Sequence, residues 1–172
     1  MVNLAVENPD RRGFLCALPV AAAGISLGGS LAGAQSTPAV SQNSYQLFTA
    51  GAMQADVKAL QASPGTNNLV TGRNFSVALT VESGKSAKEF EWHEGRDHIL
   101  QILSGSTIVE VGGTPAGAYR TGPGEWNAVT SPGSTALTLN QGDMLTIPRN
   151  TPHRRSTSGT VTLILISPQG TA

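Results

Sequence analysis

The chain has 172 residues, and its eleven basic and eleven acidic side chains cancel to a formal net charge of zero. Charged residues make up only 13%, so it has neither the basic face that nucleic-acid binding requires nor an acidic solvating tail. The length is one domain's worth, enough to bury a core, and 20 glycines and 10 prolines among many Val, Thr and Ser residues suit a turn-rich β protein.

The first element read along the chain is an export signal over residues 1–34. DRRGFL (residues 10–15) supplies the positive region, ALPVAAAGISLGGSLAGA the apolar stretch, and Ala32-Gly33-Ala34 the small-residue cleavage site. Arg11-Arg12 followed by Phe14-Leu15 resembles the twin-arginine type, which exports folded proteins, often with a cofactor already loaded. That resemblance implies a periplasmic or secreted protein. Pro19 and several glycines make the stretch a poor transmembrane helix, so no stable membrane anchor is expected after cleavage. The single cysteine, Cys16, lies inside this segment. Cleavage after Ala34 leaves a mature chain with no disulfide, thiol nucleophile or thiolate ligand.

Residues 35–48 are rich in Ser, Thr, Gln and Pro and read as a flexible linker. The single domain is expected over residues 49–172. It opens with a short amphipathic helix over 49–62, with Met53, Val57 and Leu60 on one face, Thr49 as N-cap and Ser63-Pro64-Gly65 as stop. The helix is expected to pack across an edge or mouth of the β domain.

Short β runs come next, at 68–70, 75–83, 87–94, 97–105, 106–113, 135–140, 143–148 and 160–167, punctuated by Gly, Pro and Asn. Their spacing predicts an all-β sandwich or barrel rather than βαβ units. Residues 112–133 read as one long irregular loop, a candidate lid, binding loop or oligomer contact such as a homodimer would use. Leu100, Ile102, Val109, Leu145, Ile147, Leu163 and Leu165 are the candidate core.

Only three histidines occur, at 93, 98 and 153. In AKEFEWHE, alternation puts Glu89, Glu91 and His93 on one face and Phe90 and Trp92 on the other. A turn through Glu94-Gly95-Arg96 leads to a second strand carrying His98. Far along the chain, Gly142-Asp143 turns into a strand, 148–152 form a tight loop, and His153 opens another strand.

These two segments resemble the two motifs of the cupin superfamily over roughly residues 75–167, in the manner of small type-2-like single-domain members. The second motif, G-x5-P-x-G-x2-H, is met by Gly142, Pro148, Asn150 and His153, with Asn150 replacing a glycine. Asn is the side-chain-bearing residue that best tolerates left-handed backbone. The first, H-x-H, three or four residues, E, six residues, G, is met by Glu91, His93, His98 and Gly105. His and Glu trade places there while three imidazoles and one carboxylate are kept.

The resemblance implies a cupin-type antiparallel β-barrel (jelly roll). It also implies one divalent metal ion held by His93, His98, His153 and Glu91. Nitrogen and oxygen ligands without sulfur suit Fe, Mn, Zn, Ni or Co. The alternative for each histidine is a buried structural role, and Glu91 could instead orient a ring N–H. Arg155, two residues from His153, faces inward as a candidate contact for an anionic ligand or as a solvated rim residue. Asp97, Arg149 and Arg154 read as surface charges. Trp92 is expected to pack on the helix, the second sheet or a partner subunit, and Trp126 stays open.

The function expected is that of a metal-dependent enzyme on a small molecule: a dioxygenase, isomerase or lyase. The alternatives are a small-molecule binding or sensing module with structural or absent metal, and an interaction subunit. Tyr119, Glu110 and Glu125 are the candidates for an acid or base that is not itself a ligand.

Overall fold

The computed structural model describes residues 45–170; the export signal, Cys16 and most of the linker lie outside them. α1 (Ala50–Ala62) begins as expected: the Thr49 side chain accepts a hydrogen bond from the Ala52 amide at 3.2 Å. Met53, Val57 and Leu60 are half-buried, and the helix packs on β1 (Gly65–Thr71) and β2 (Phe75–Lys85). Because β1 pairs only with β2, α1 sits at a sheet edge.

The remaining strands are β3 (Phe90–His93), β4 (His98–Ser104), β5 (Ser106–Val111), β6 (Tyr119–Gly122), β7 (Glu125–Ala128), β8 (Thr135–Asn140), β9 (Met144–Ile147) and β10 (His153–Pro168). Every pairing among them is antiparallel. β10 organises the architecture. Its first residues, 153–156, lie between β5 and β3, while residues 160–168 lie against β2 and β4. β1, β6, β8 and β9 each keep one ladder partner, so the hydrogen-bonded sheet does not close on itself.

All seven expected core residues pack together. Leu100, Ile102, Val109, Ile147 and Leu163 are buried with Leu139 and Val161, and Leu145 and Leu165 pack against them. Period-2 alternation of β-branched and leucine residues is what brings these side chains to one interior.

Two turn positions show why the motif residues stand where they do. Gly105 has φ +75°, and a Cβ built on it would lie 2.0 Å from the Thr160 carbonyl oxygen, so only glycine lets β4 turn into β5 against β10. Asn150 has φ 61° and is the only non-glycine residue with positive φ among the described residues, which fits its place in the motif.

Residues 112–133, expected as a single irregular loop, are not one. β6 and β7 form a hairpin there, and β7 pairs with β3. Their sequences, YRTG and EWNA, are short and mostly polar, so no alternating apolar pattern announces them.

Candidate metal centre

Three strands deliver the three histidines. His93 ends β3, His98 begins β4 and His153 begins β10, so each imidazole sits at a strand terminus and all three point to one place. The loop before His153 is tied down where the Asn150 amide donates to the His93 carbonyl at 2.8 Å. The rings meet edge to face, with centroids 4.8 Å (His93–His98), 5.5 Å (His93–His153) and 5.2 Å (His98–His153) apart. All three are buried, and each offers a ring nitrogen within 4.8 Å of the others'.

The partners on the far side of each ring fix its chemistry. His93 Nδ1 lies 2.7 Å from Glu125 Oε2, His98 Nδ1 2.9 Å from Ser167 Oγ, and His153 Nδ1 2.9 Å from the Thr151 carbonyl. The Thr151 carbonyl can only accept, so His153 carries its proton on Nδ1 and keeps the Nε2 lone pair. His93 Nδ1, by contrast, faces both the Glu125 carboxylate and the Arg96 guanidinium, the latter at 3.0 Å. His153 Nε2 is buried without a hydrogen-bond partner, which is costly for a polar atom unless something fills the place. A neutral imidazole with one nitrogen anchored and the other free is the form that binds metal.

Burial and the adjacent rings disfavour protonation of His98 and His153. Burial first, then His153 and His93, lower the His98 pKa from 6.5 to about 3. Burial likewise holds His153 below the ordinary histidine value. Two buried imidazoles that resist protonation, His98 and His153, leave their lone pairs available to a cation at neutral pH.

Glu91 stands at the edge of this group. Its side chain is 56% exposed and its Oε1 lies 3.9 Å from His153 Nε2, whereas the set of nitrogens within 4.8 Å comprises the histidines alone. The structure thus brings the three imidazoles together and leaves the carboxylate beside them.

No family model matches the chain, and no curated protein matches it. Solved structures do share its fold. BH2720 of Bacillus halodurans superposes with a TM-score of 0.52 at 16% identity, over 76% of this chain and 86% of its own. Protein NMB1881 of Neisseria meningitidis gives 0.50 at 14% identity, over 72% of this chain and all of its own. A cupin superfamily protein of Desulfitobacterium hafniense gives 0.44 at 15% identity, over 61% and 76%. The likeness is one of fold.

A cavity of about 160 Å³ adjoins the histidines. His98 and His153 form one wall, Leu100, Val109, Ile147 and Leu165 an apolar one, and Glu89 and Glu91 line it as well. Arg155 also lines it, but it is not a solvated rim residue: its Nε donates to Glu82 Oε2 at 2.8 Å, and its side chain is only 18% exposed.

The other charged and aromatic candidates take different places. Arg154 pairs with Glu110 at 2.7 Å and lies over the Phe90 ring, which occupies Glu110 in an ion pair. Asp97 binds the Arg149 amide and guanidinium, so these two half-exposed charges form a clasp between the segments after β3 and β9. Tyr119 donates to Glu89. Trp92 stacks on Trp126 across the β3–β7 pair at 5.9 Å, not on the helix.

Glu125, named from sequence as an acid or base, instead accepts from both His93 and Arg96, the latter at 2.9 Å. Ser167 and the Thr151 carbonyl carried no sequence signal. The Ser167 hydroxyl reaches His98 only through the pairing of β10 with β4, whereas the Thr151 carbonyl meets His153 by the local turn two residues before it.

Proposed function

We propose that this chain is an exported cupin that holds one divalent metal on His93, His98 and His153 and acts as a metal-dependent enzyme on a small molecule in the adjoining cavity. One observation carries the reading: three buried imidazoles whose outer nitrogens are all engaged and whose remaining nitrogens share one small space, one of them with no partner. A structural histidine needs no such neighbours. Three of them facing one another, with His98 and His153 lowered in pKa by burial, gain nothing from the arrangement unless a cation joins them. A jelly-roll barrel in the cupin manner is the architecture that the two sequence motifs support.

Three protein nitrogens leave coordination positions open, and the bound ion would supply Lewis acidity to a ligand there. The protein's own residues do the rest. Glu125, Ser167 and the Thr151 carbonyl fix the ring orientations, and the apolar wall limits water. Glu91, whose Oε1 lies 3.9 Å from His153 Nε2, would join the ion directly or offset its charge. Glu89, held by Tyr119 and by Asn127 Nδ2 at 3.3 Å, is the carboxylate available for proton transfer in the cavity.

The test is metal analysis of protein recovered from the exported pool, beside His93→Ala and His153→Ala. One equivalent of metal in the wild type, absent from both variants, is expected. A wild type that is free of metal and whose melting temperature does not move when Mn, Fe, Co, Ni or Zn is added overturns the reading.

A further inference from the structure

Two cations in the wall of the cavity share one carboxylate. Lys85 Nζ lies 2.6 Å from Glu82 Oε1, and Arg155 grips the same carboxylate through Nε at 2.8 Å. Lys85 and Arg155 both line the cavity, whereas Glu82 does not. Arg154, by contrast, has Glu110 to itself. Burial on its own would raise the Glu82 pKa, yet the hydrogen bonds and charges of Arg155 and Lys85 hold it below the usual carboxylate range. The carboxylate is therefore ionised, and its single charge cannot balance two. The Lys85–Arg155 pair thus carries one more positive charge than its own carboxylate supplies negative, and the exposed Lys88 lines the cavity as well.

Negative charge in the same cavity is accounted for separately. Glu89 is engaged by Tyr119 and Asn127, and Glu91 lies toward His153. Neither carboxylate pairs with Lys85 or Arg155, whose partner is Glu82. The space of about 160 Å³ falls below the ~300 Å³ at which drug-sized pockets begin.

We propose that this cavity takes a small anionic ligand, a compact mono- or dicarboxylate, whose carboxylate is received by the Lys85–Arg155 pair. Arg155 spends its Nε and one Nη2 hydrogen on Glu82 and keeps its remaining N–H groups for a ligand carboxylate, while Lys85 supplies a point charge. The proposal names the ligand class of the site described above. It rests on the cavity being a ligand site and does not require that a metal be present for the two cations to act.

Calorimetric titration with malonate and with malonamide, its neutral counterpart, tests this on the folded chain with and without added metal. Malonate should bind at least about tenfold more tightly than malonamide, the size of one charge-assisted hydrogen bond. Lys85→Gln should remove about that factor for malonate, in metal-free and metal-loaded protein alike, and leave malonamide unchanged. Glu82→Gln should move malonate the other way, toward tighter binding, because it frees both cations. Glu82 is buried and its variant can lose the fold, so the one-third-exposed Lys85 carries the decision. Equal binding of malonate and malonamide, or an unchanged malonate affinity in Lys85→Gln, overturns the proposal even if metal binds stoichiometrically. Absence of metal uptake, with the Lys85 effect intact, overturns the metal reading alone.

Discussion

Replacing Glu125 by alanine is the sharpest test of how the centre is built. Glu125 Oε2 stands 2.7 Å from His93 Nδ1 and 2.9 Å from Arg96 Nη2. The side chain is 35% exposed, so water can partly replace it, and the loss falls short of that for a sealed pair. Partners of this kind on metal-bound histidines are worth about 10- to 100-fold in metal affinity. The exposure places Glu125→Ala near the lower end, about tenfold. Ser167→Ala should cost His98 more per contact, because Ser167 is 5% exposed and no water takes its place. Competition against a coloured chelator measures both, with circular dichroism confirming the fold. If His93→Ala abolishes binding while Glu125→Ala leaves the affinity unchanged, the carboxylate does not orient the ring and the reasoning from anchored nitrogens fails.

The metal-free protein should lose stability on acidification well above the range in which carboxylates titrate. His98 ionises near 6.5 when unfolded and at about 3 when folded, so the unfolded chain takes up the proton first. Its stabilising contribution is fully present above the unfolded value. It falls as pH drops from 6.5 toward about 3, by up to ~1.4 kcal/mol per pH unit, and His153 shifts in the same sense. Urea midpoints that stay flat from about pH 7 to about pH 5 contradict this. Gly105→Ala should destabilise by more than about 2 kcal/mol, since it adds left-handed strain to a backbone clash with Thr160; chemical denaturation reads it directly. Changing Arg11 and Arg12 to lysine should keep the protein in the cytoplasm on fractionation, and unimpaired export of that variant removes the twin-arginine assignment.

What the sequence makes legible is what local rules govern. Alternation placed His93 opposite Trp92 in the sense of the strand, and turn chemistry marked Gly105, Gly142 and Asn150. The cap at Thr49 and the seven core positions come from periodicity alone. What it hides is set by partners distant in the chain. Glu125 reaches His93 across 32 residues, because β7 pairs with β3 in a register that no local pattern encodes. Ser167 reaches His98 across 69, and Glu82 meets Arg155 across 73. Arg155 could be read as an inward-facing cation from its spacing to His153. That its charge is half spent on Glu82 could not.

β10 bears on when the site can come into existence. It contributes His153 at one end, the Ser167 hydroxyl behind His98 at the other, and Arg155 between them, and it follows the other nine strands among the described residues. During synthesis, the segments bearing His93 and His98 emerge early, but β3 and β4 pair with β7, β9 and β10 rather than with each other. Neither the third imidazole nor the anchor of the second is present until β10 has been made. Contacts of such long sequence separation close slowly. An ion taken up at this centre would therefore be captured late, after the fold is complete, and would mark a finished molecule.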